Sequence, residues 1–158
     1  MVVTAAQAKE DNWRRGRLRW KFKPIQKRLY DAYHSCSNFL FVSLIARQTG
    51  KSYSWASLAV EQCIRKPKSR VRYGTAFHTD VAEFIVPIFT AIFEDAPLDV
   101  KPKYHKQGSK YEFKNGSEIK LVGLDINPDG IRGNALDLVI IDEAGFVSRL
   151  RYVYSIII

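Results

Sequence analysis

The stretch Phe39-Leu-Phe-Val-Ser-Leu-Ile-Ala-Arg-Gln-Thr-Gly-Lys-Ser52 decides how this chain is read. Its first seven residues form a nearly continuous apolar run, the pattern of a strand buried on both faces of a parallel sheet. Its end, Gly50-Lys51-Ser52, matches the end of the phosphate-loop pattern Gly-x4-Gly-Lys-Ser/Thr. A helix is expected from about Lys51 to Arg65, stopped by Pro67. Strand, turn and helix in that order present backbone N–H groups and the positive end of a helix to phosphate oxygens. In such a loop Gly50 lets the backbone approach without a Cβ, Lys51 neutralises the β and γ phosphates, and Ser52 places its hydroxyl on Mg²⁺. The first glycine of the general pattern is replaced by Ile45.

A second motif follows about 90 residues later. Leu138-Val-Ile-Ile-Asp142-Glu143 reads as an apolar strand (with Ala135 as its first residue) that ends in two carboxylates. An Asp at the end of a strand beside the phosphate loop can hold Mg²⁺ through water, and the following Glu can orient or deprotonate the attacking water. Either motif alone is common. Both in this order, each at the end of an apolar strand, point to a Mg²⁺-dependent nucleoside-triphosphate site.

Between the motifs, Val71 to Ala76 reads as a strand. Thr79 can cap a helix whose buried face is Val81, Phe84, Ile85, Ile88, Phe89 and Ile92, with Pro87 expected to kink it. Residues 95–103 read as a loop. Lys110–Phe113 and Glu118–Val122 flank Asn115-Gly116, which predicts a hairpin closed by a tight primed turn. Pro24 to His34 reads as a helix, and residues 1 to about 20 as a loosely ordered stretch or an early helix. The alternation of strands and helices implies an α/β sheet with helices on its faces.

Taken together these residues resemble a known family, the ATPase domain of the large terminase subunit of tailed bacteriophages. The similarity runs from about Phe22 to Ile158. It is carried by Ala46-Arg47-Gln48-Thr49-Gly50-Lys51-Ser52, by Gly116–Gly123, by Gly130-Ile-Arg132-Gly133, and by Leu136 to Ala144. In that family the first loop glycine is commonly missing and an Arg stands inside the loop, so Ile45 is unremarkable there.

The resemblance implies a P-loop NTPase fold of the RecA-like, additional-strand, catalytic-Glu type. Its sheet is expected to be rich in parallel strands, with helices on both faces and an inserted β-hairpin. It implies ATP and Mg²⁺ as cofactors, and nucleotide binding by Arg47, Gln48, Thr49, Gly50, Lys51 and Ser52. It further implies a catalytic Glu143, an Arg47 acting in cis on the γ-phosphate, a metal site at Ser52 and Asp142, and Arg132 as a candidate sensor. Pro24-Ile25-Gln26 is similar to the family's adenine-binding Gln motif; a Gln amide can pair with both a donor and an acceptor on the adenine edge.

The implied partners are double-stranded DNA, the portal protein and the small terminase subunit, with a homo-oligomeric ring in the full-length protein. The implied location is the cytoplasm of the bacterial host, encoded by a phage or prophage. The expected organisation is a basic segment at 1–21 and an ATPase domain at 22–158. The last residues, Val153 to Ile158, read as the middle of the helix after the acidic pair. The sequence is therefore expected to be a fragment, truncated after that pair and without the family's nuclease domain.

Composition bears on partners. The chain has 158 residues, 25 of them Lys or Arg against 16 Asp or Glu, for a net charge of +9. Eight basic residues and no acidic one lie between Arg14 and Arg28, interleaved with Trp20 and Phe22. That run suits a polyanion such as nucleic acid, or is a solvated basic tail. Cys36, Cys63, His34, His78 and His105 lack zinc-site spacing, and two cysteines make no disulfide framework. No apolar run approaches the ~20 residues of a membrane span. The motifs also admit a helicase-type RecA-like domain, or a non-catalytic remnant that only binds nucleotide or nucleic acid. An Arg inside the loop and the Asn-Gly hairpin ahead of the acidic pair weigh against the helicase.

Overall fold

A computed structural model of the chain describes residues 4–46, 48–133 and 135–157. Its centre is β1 (Arg70–Thr75), flanked by β4 (Glu118–Gly123) and β5 (Leu138–Ile141), both parallel to it. β2 (Lys103–His105) and β3 (Lys110–Glu112) extend the sheet past β4 with antiparallel pairings, giving the order β2-β3-β4-β1-β5.

Period-two alternation sorts the strand residues between two layers. Val71, Tyr73, Ile119, Leu121 and Ile140 face one side. There they join Ala56, Ala59 and Val60 of α3 (Lys51–Arg65) and Phe89, Ile92 and Phe93 of α5 (Val86–Phe93). Val122, Val139 and Ile141 face the other side and meet Ile131, Val147 and Val153, the last on α6 (Leu150–Ile157). Helices thus cover both faces of a mixed sheet, as expected. No helix among the described residues is long and apolar enough to cross a membrane.

From Thr4 onward the N-terminal stretch is largely helical and built into the core. Thr4 and Gln7 form a reciprocal cap: Gln7 N–H donates to Thr4 Oγ1 at 3.2 Å and Thr4 N–H to Gln7 Oε1 at 2.9 Å. This cap opens α1 (Ala5–Arg14). Trp13 and Leu18 are 1% and 0% exposed and belong to the main core. The basic run is therefore no solvated tail. Arg14 pairs with Asp99, Arg15 with Asp11, Arg19 with Asp31 and Lys21 with Asp95. Half of its positive charges already have carboxylate partners within the chain.

The largest departure from expectation is at Phe39–Ile45, which belongs to no strand among the described residues. Phe39, Val42 and Leu44 are 79%, 72% and 98% exposed. Phe41, Ser43 and Ile45 alternate with them and are half-buried; the Phe41 ring packs 5.7 Å from Tyr33 and 5.8 Å from Trp55. The run lies along the body by one face only. An apolar run signals burial but carries no information about which edge it will pair with.

Smaller departures have local causes. The helix expected after Thr79 starts two residues earlier, as α4 (His78–Asp80), with Phe77 at the N-cap. The His78 N–H donates to Asp125 Oδ1 at 2.8 Å, so a distant carboxylate does what a capping hydroxyl would. A π-helical turn, Val81–Ile85, connects it to α5, whose second residue is Pro87. The wider turn takes up the proline ring and its missing N–H.

The Asn115-Gly116 hairpin joins β3 to β4, but its turn is not primed: only Gly116 has positive φ (82°). Gly116 N–H donates to Phe113 O at 3.0 Å and Phe113 N–H to Ser117 O at 2.9 Å. That pattern is a type I turn closed by a left-handed glycine. Asn115 is held out of the left-handed region by its own side chain, which accepts from Ser117 N–H and donates to Cys63 O. The loop expected at 95–103 yields its last residue to β2.

Candidate nucleotide-binding site

The site begins at the N-terminus of α3. Gly50 is its N-cap residue, left-handed at φ 77° and ψ 30°. A Cβ there would stand 2.3 Å from Gln26 Nε2, so conformation and space both demand glycine. Thr49 Oγ1 donates to Ala46 O at 3.0 Å and closes the turn from within. Gln48 is also left-handed, at φ 61°. Arg47 lies outside the described residues.

The second wall is the carboxyl end of β5. Asp142 N–H donates to Gly74 O at 2.9 Å, continuing the parallel ladder one residue past the strand. Asp142 is buried, and both of its oxygens are engaged: Oδ2 accepts from Tyr73 O–H at 2.9 Å and Oδ1 from Glu143 N–H at 3.0 Å. The backbone then turns left-handed at Glu143 (φ 53°). This turn carries the Glu143 side chain across to α3, where Oε1 meets Lys51 Nζ at 2.5 Å. The two motifs read from sequence thus touch.

Tyr73 is the residue that sequence reading missed. It sits on β1 between the two walls, fully buried, with its hydroxyl 3.4 Å from Ser52 O as well as on Asp142. Burial first, and the neighbouring Asp142 carboxylate second, push its phenol well above the usual value. It stays protonated and remains a donor to Asp142. The available signal was weak: a tyrosine in the middle of a buried strand needs a partner for its hydroxyl. Tyr73→Phe is expected to leave the buried Asp142 Oδ2 short of a donor. It should lower stability by ~1–2 kcal/mol, read as a lower urea midpoint at unchanged slope.

Gln48, Gly50, Lys51, Ser52 and Glu143 line an open cleft of about 590 Å³ with Phe77, Phe84 and Phe146 among its other walls. That volume falls in the range of small-molecule sites, roughly 300–1,000 Å³. Thr49 and Asp142 are not among its lining residues, and two further residues read from sequence stand elsewhere. Gln26 lies behind the loop, not in the cleft, with its amide engaged by protein on both sides. Arg132 is exposed, paired with Asp129 at 3.3 Å and set over the Tyr152 ring at 6.0 Å.

A mixed α/β sheet with a glycine-capped turn into α3 at its carboxyl edge, beside an acidic pair at the end of β5, is the arrangement of a P-loop nucleotide-binding fold. Residues 42–157 match the family described as terminase large subunit, T4likevirus-type, N-terminal, and the chain belongs to that family. No curated protein matches the chain significantly. Among solved structures it is similar to the large terminase ATPase domain of Thermus phage P74-26, with a TM-score of 0.61 and 19% identity over 98% of this chain. An arginine-to-alanine variant of that same domain gives a TM-score of 0.61 at 18% identity, again over 98% of this chain. In both cases this chain spans 66% of the other chain's length.

Proposed function

We propose that this domain binds and hydrolyses Mg²⁺-ATP and that, in the large terminase to which its family belongs, hydrolysis drives double-stranded DNA into the phage capsid. The observation that carries the reading is the 2.5 Å contact between Lys51 and Glu143 at the mouth of one cleft. It brings a phosphate-neutralising ammonium and a carboxylate able to activate water within reach of one triphosphate.

The donor set suits Mg²⁺. No group of three or more His, Cys, Asp or Glu side chains able to hold a metal exists among the described residues. Mg²⁺ needs no such cage, because it keeps several waters and binds through one or two protein oxygens plus substrate phosphates. Ser52 and Asp142 would supply those oxygens, with Asp142 acting through water since its direct lone pairs are partly taken. When bound, the ion would offset charge on the phosphates. Lys51 would hold the β and γ oxygens, Gln48, Thr49 and Gly50 would supply backbone N–H groups, and Arg47 would add charge at the γ-phosphate. Arg132, outside the cleft and paired with Asp129, is the candidate sensor.

Family membership favours packaging over strand unwinding. The portal protein, the small terminase subunit and further copies in a ring are the corresponding partners, and the bacterial cytoplasm the corresponding location. Phosphate release from Mg²⁺-ATP, measured with and without double-stranded DNA, tests the reading. Lys51→Ala is expected to lower it at least ~100-fold, since the phosphoryl charge then lacks its fixed counter-charge. Equal release by the parent and Lys51→Ala chains would sink the proposal and leave a module that only binds.

A further inference from the structure

We infer that Gln26 is a positioning residue for the phosphate loop and does not read the nucleotide base. The inference rests on the nucleotide-binding function proposed above. Gln26 is the third residue of α2 (Pro24–Ser35) and is 6% exposed. Its Oε1 accepts from Lys23 N–H at 2.8 Å, and its Nε2 donates to Gly50 O at 2.9 Å. One partner is a donor and the other an acceptor, so the amide has only one satisfactory orientation. At 6% exposure and outside the cleft lining, its remaining N–H and lone pair have no open approach for a purine.

What the contact accomplishes follows from peptide geometry. In a trans peptide the carbonyl and the following N–H point in opposite directions. Gly50 O is drawn inward by three donors: Gln26 Nε2, Ser54 N–H and Ser54 Oγ. The Lys51 N–H at the other end of the same peptide is thereby aimed outward, toward the cleft. A glycine at φ 77° is the softest point in the loop, and the Gln26 amide pins that point from behind. The start of α2 and the start of α3 are thus clamped by one side chain.

The test uses Gln26→Glu and Gln26→Met in this chain. Glu keeps the acceptor for Lys23 but cannot donate to Gly50; Met keeps the length and removes both functions. Two measurements are made: hydrogen exchange at amides 48–54 without nucleotide, and titration with ribose-labelled fluorescent ATP and GTP in Mg²⁺. Both variants are expected to exchange faster across that segment and to bind ATP and GTP about tenfold more weakly, by the same factor for each. Weaker ATP binding with GTP binding unchanged would overturn the inference and make Gln26 a base reader. Unchanged exchange in either folded variant would overturn it too. If the parent chain binds neither nucleotide, the proposed function fails, while the exchange arm still decides whether Gln26 holds the loop.

Discussion

A Glu143→Gln chain is expected to bind ATP at least as tightly as the parent and to turn it over at least ~100-fold more slowly. The two effects have opposite signs because the proposed function gives Glu143 two roles in one geometry. Its carboxylate lies 2.5 Å from Lys51 and would compete with phosphate for the same ammonium. Glutamine removes the charge but nearly keeps the shape, so Lys51 meets an incoming triphosphate without first giving up an ion pair. Glutamine also cannot take a proton from water, so the chemical step loses its base. Fluorescent-nucleotide titration and phosphate release, measured on the same preparation, separate the two. A variant that binds more weakly and still releases phosphate at the parent rate would show that Glu143 serves only as a counter-ion for Lys51.

The largest loss of stability is expected at Phe89. Its ring is fully buried at the meeting point of α5, β1 and β3, with centroids 5.8 Å from Tyr73, 5.0 Å from Tyr111 and 6.3 Å from Phe93. Phe89→Ala removes a large side chain from a site walled by other rigid rings, which collapse poorly into the space. The expected cost is ~3–5 kcal/mol, a large share of the stability of a domain this size. Chemical denaturation should show the midpoint collapse, and nucleotide binding should weaken with it, because Tyr73 connects this cluster to Asp142. A shift under 1 kcal/mol would mean that the aromatic cluster is not the core it resembles.

The candidate site was easier to pick out in the sequence than the architecture around it. Gly50-Lys51-Ser52 and Asp142-Glu143 stand out in the sequence because phosphate and Mg²⁺ chemistry restricts residue type and order, and the structure brings Lys51 and Glu143 into contact. The hairpin was legible at Asn115-Gly116 because few residues tolerate positive φ, yet its turn type depends on the bond from Asn115 to Cys63 O, 52 residues away. Phe39–Ile45 was misread because hydrophobicity reports a preference for burial and says nothing of a neighbour. The basic run at Arg14–Arg28 suggested an open charged surface, since a one-dimensional string hides Asp31, Asp95 and Asp99 waiting opposite. Tyr73 and Gln26 were obscure for a common reason: each acts through a backbone or carboxylate partner that only the fold supplies.

The strand order also sets a timetable for synthesis. β1, the middle of the sheet, leaves the ribosome before either of its neighbours, and its edges stay bare until residues 118–141 have followed. At roughly 5–20 residues per second that wait lasts several seconds. What shields β1 meanwhile has already been made: α3 lies over its apolar face, and a buried carboxylate on α3, Glu61, is bonded to Leu18 N–H and Tyr30 O–H, both translated earlier still. α3 and the segments that brace it, all translated before β1, are thus placed to cover the central strand while its edges wait.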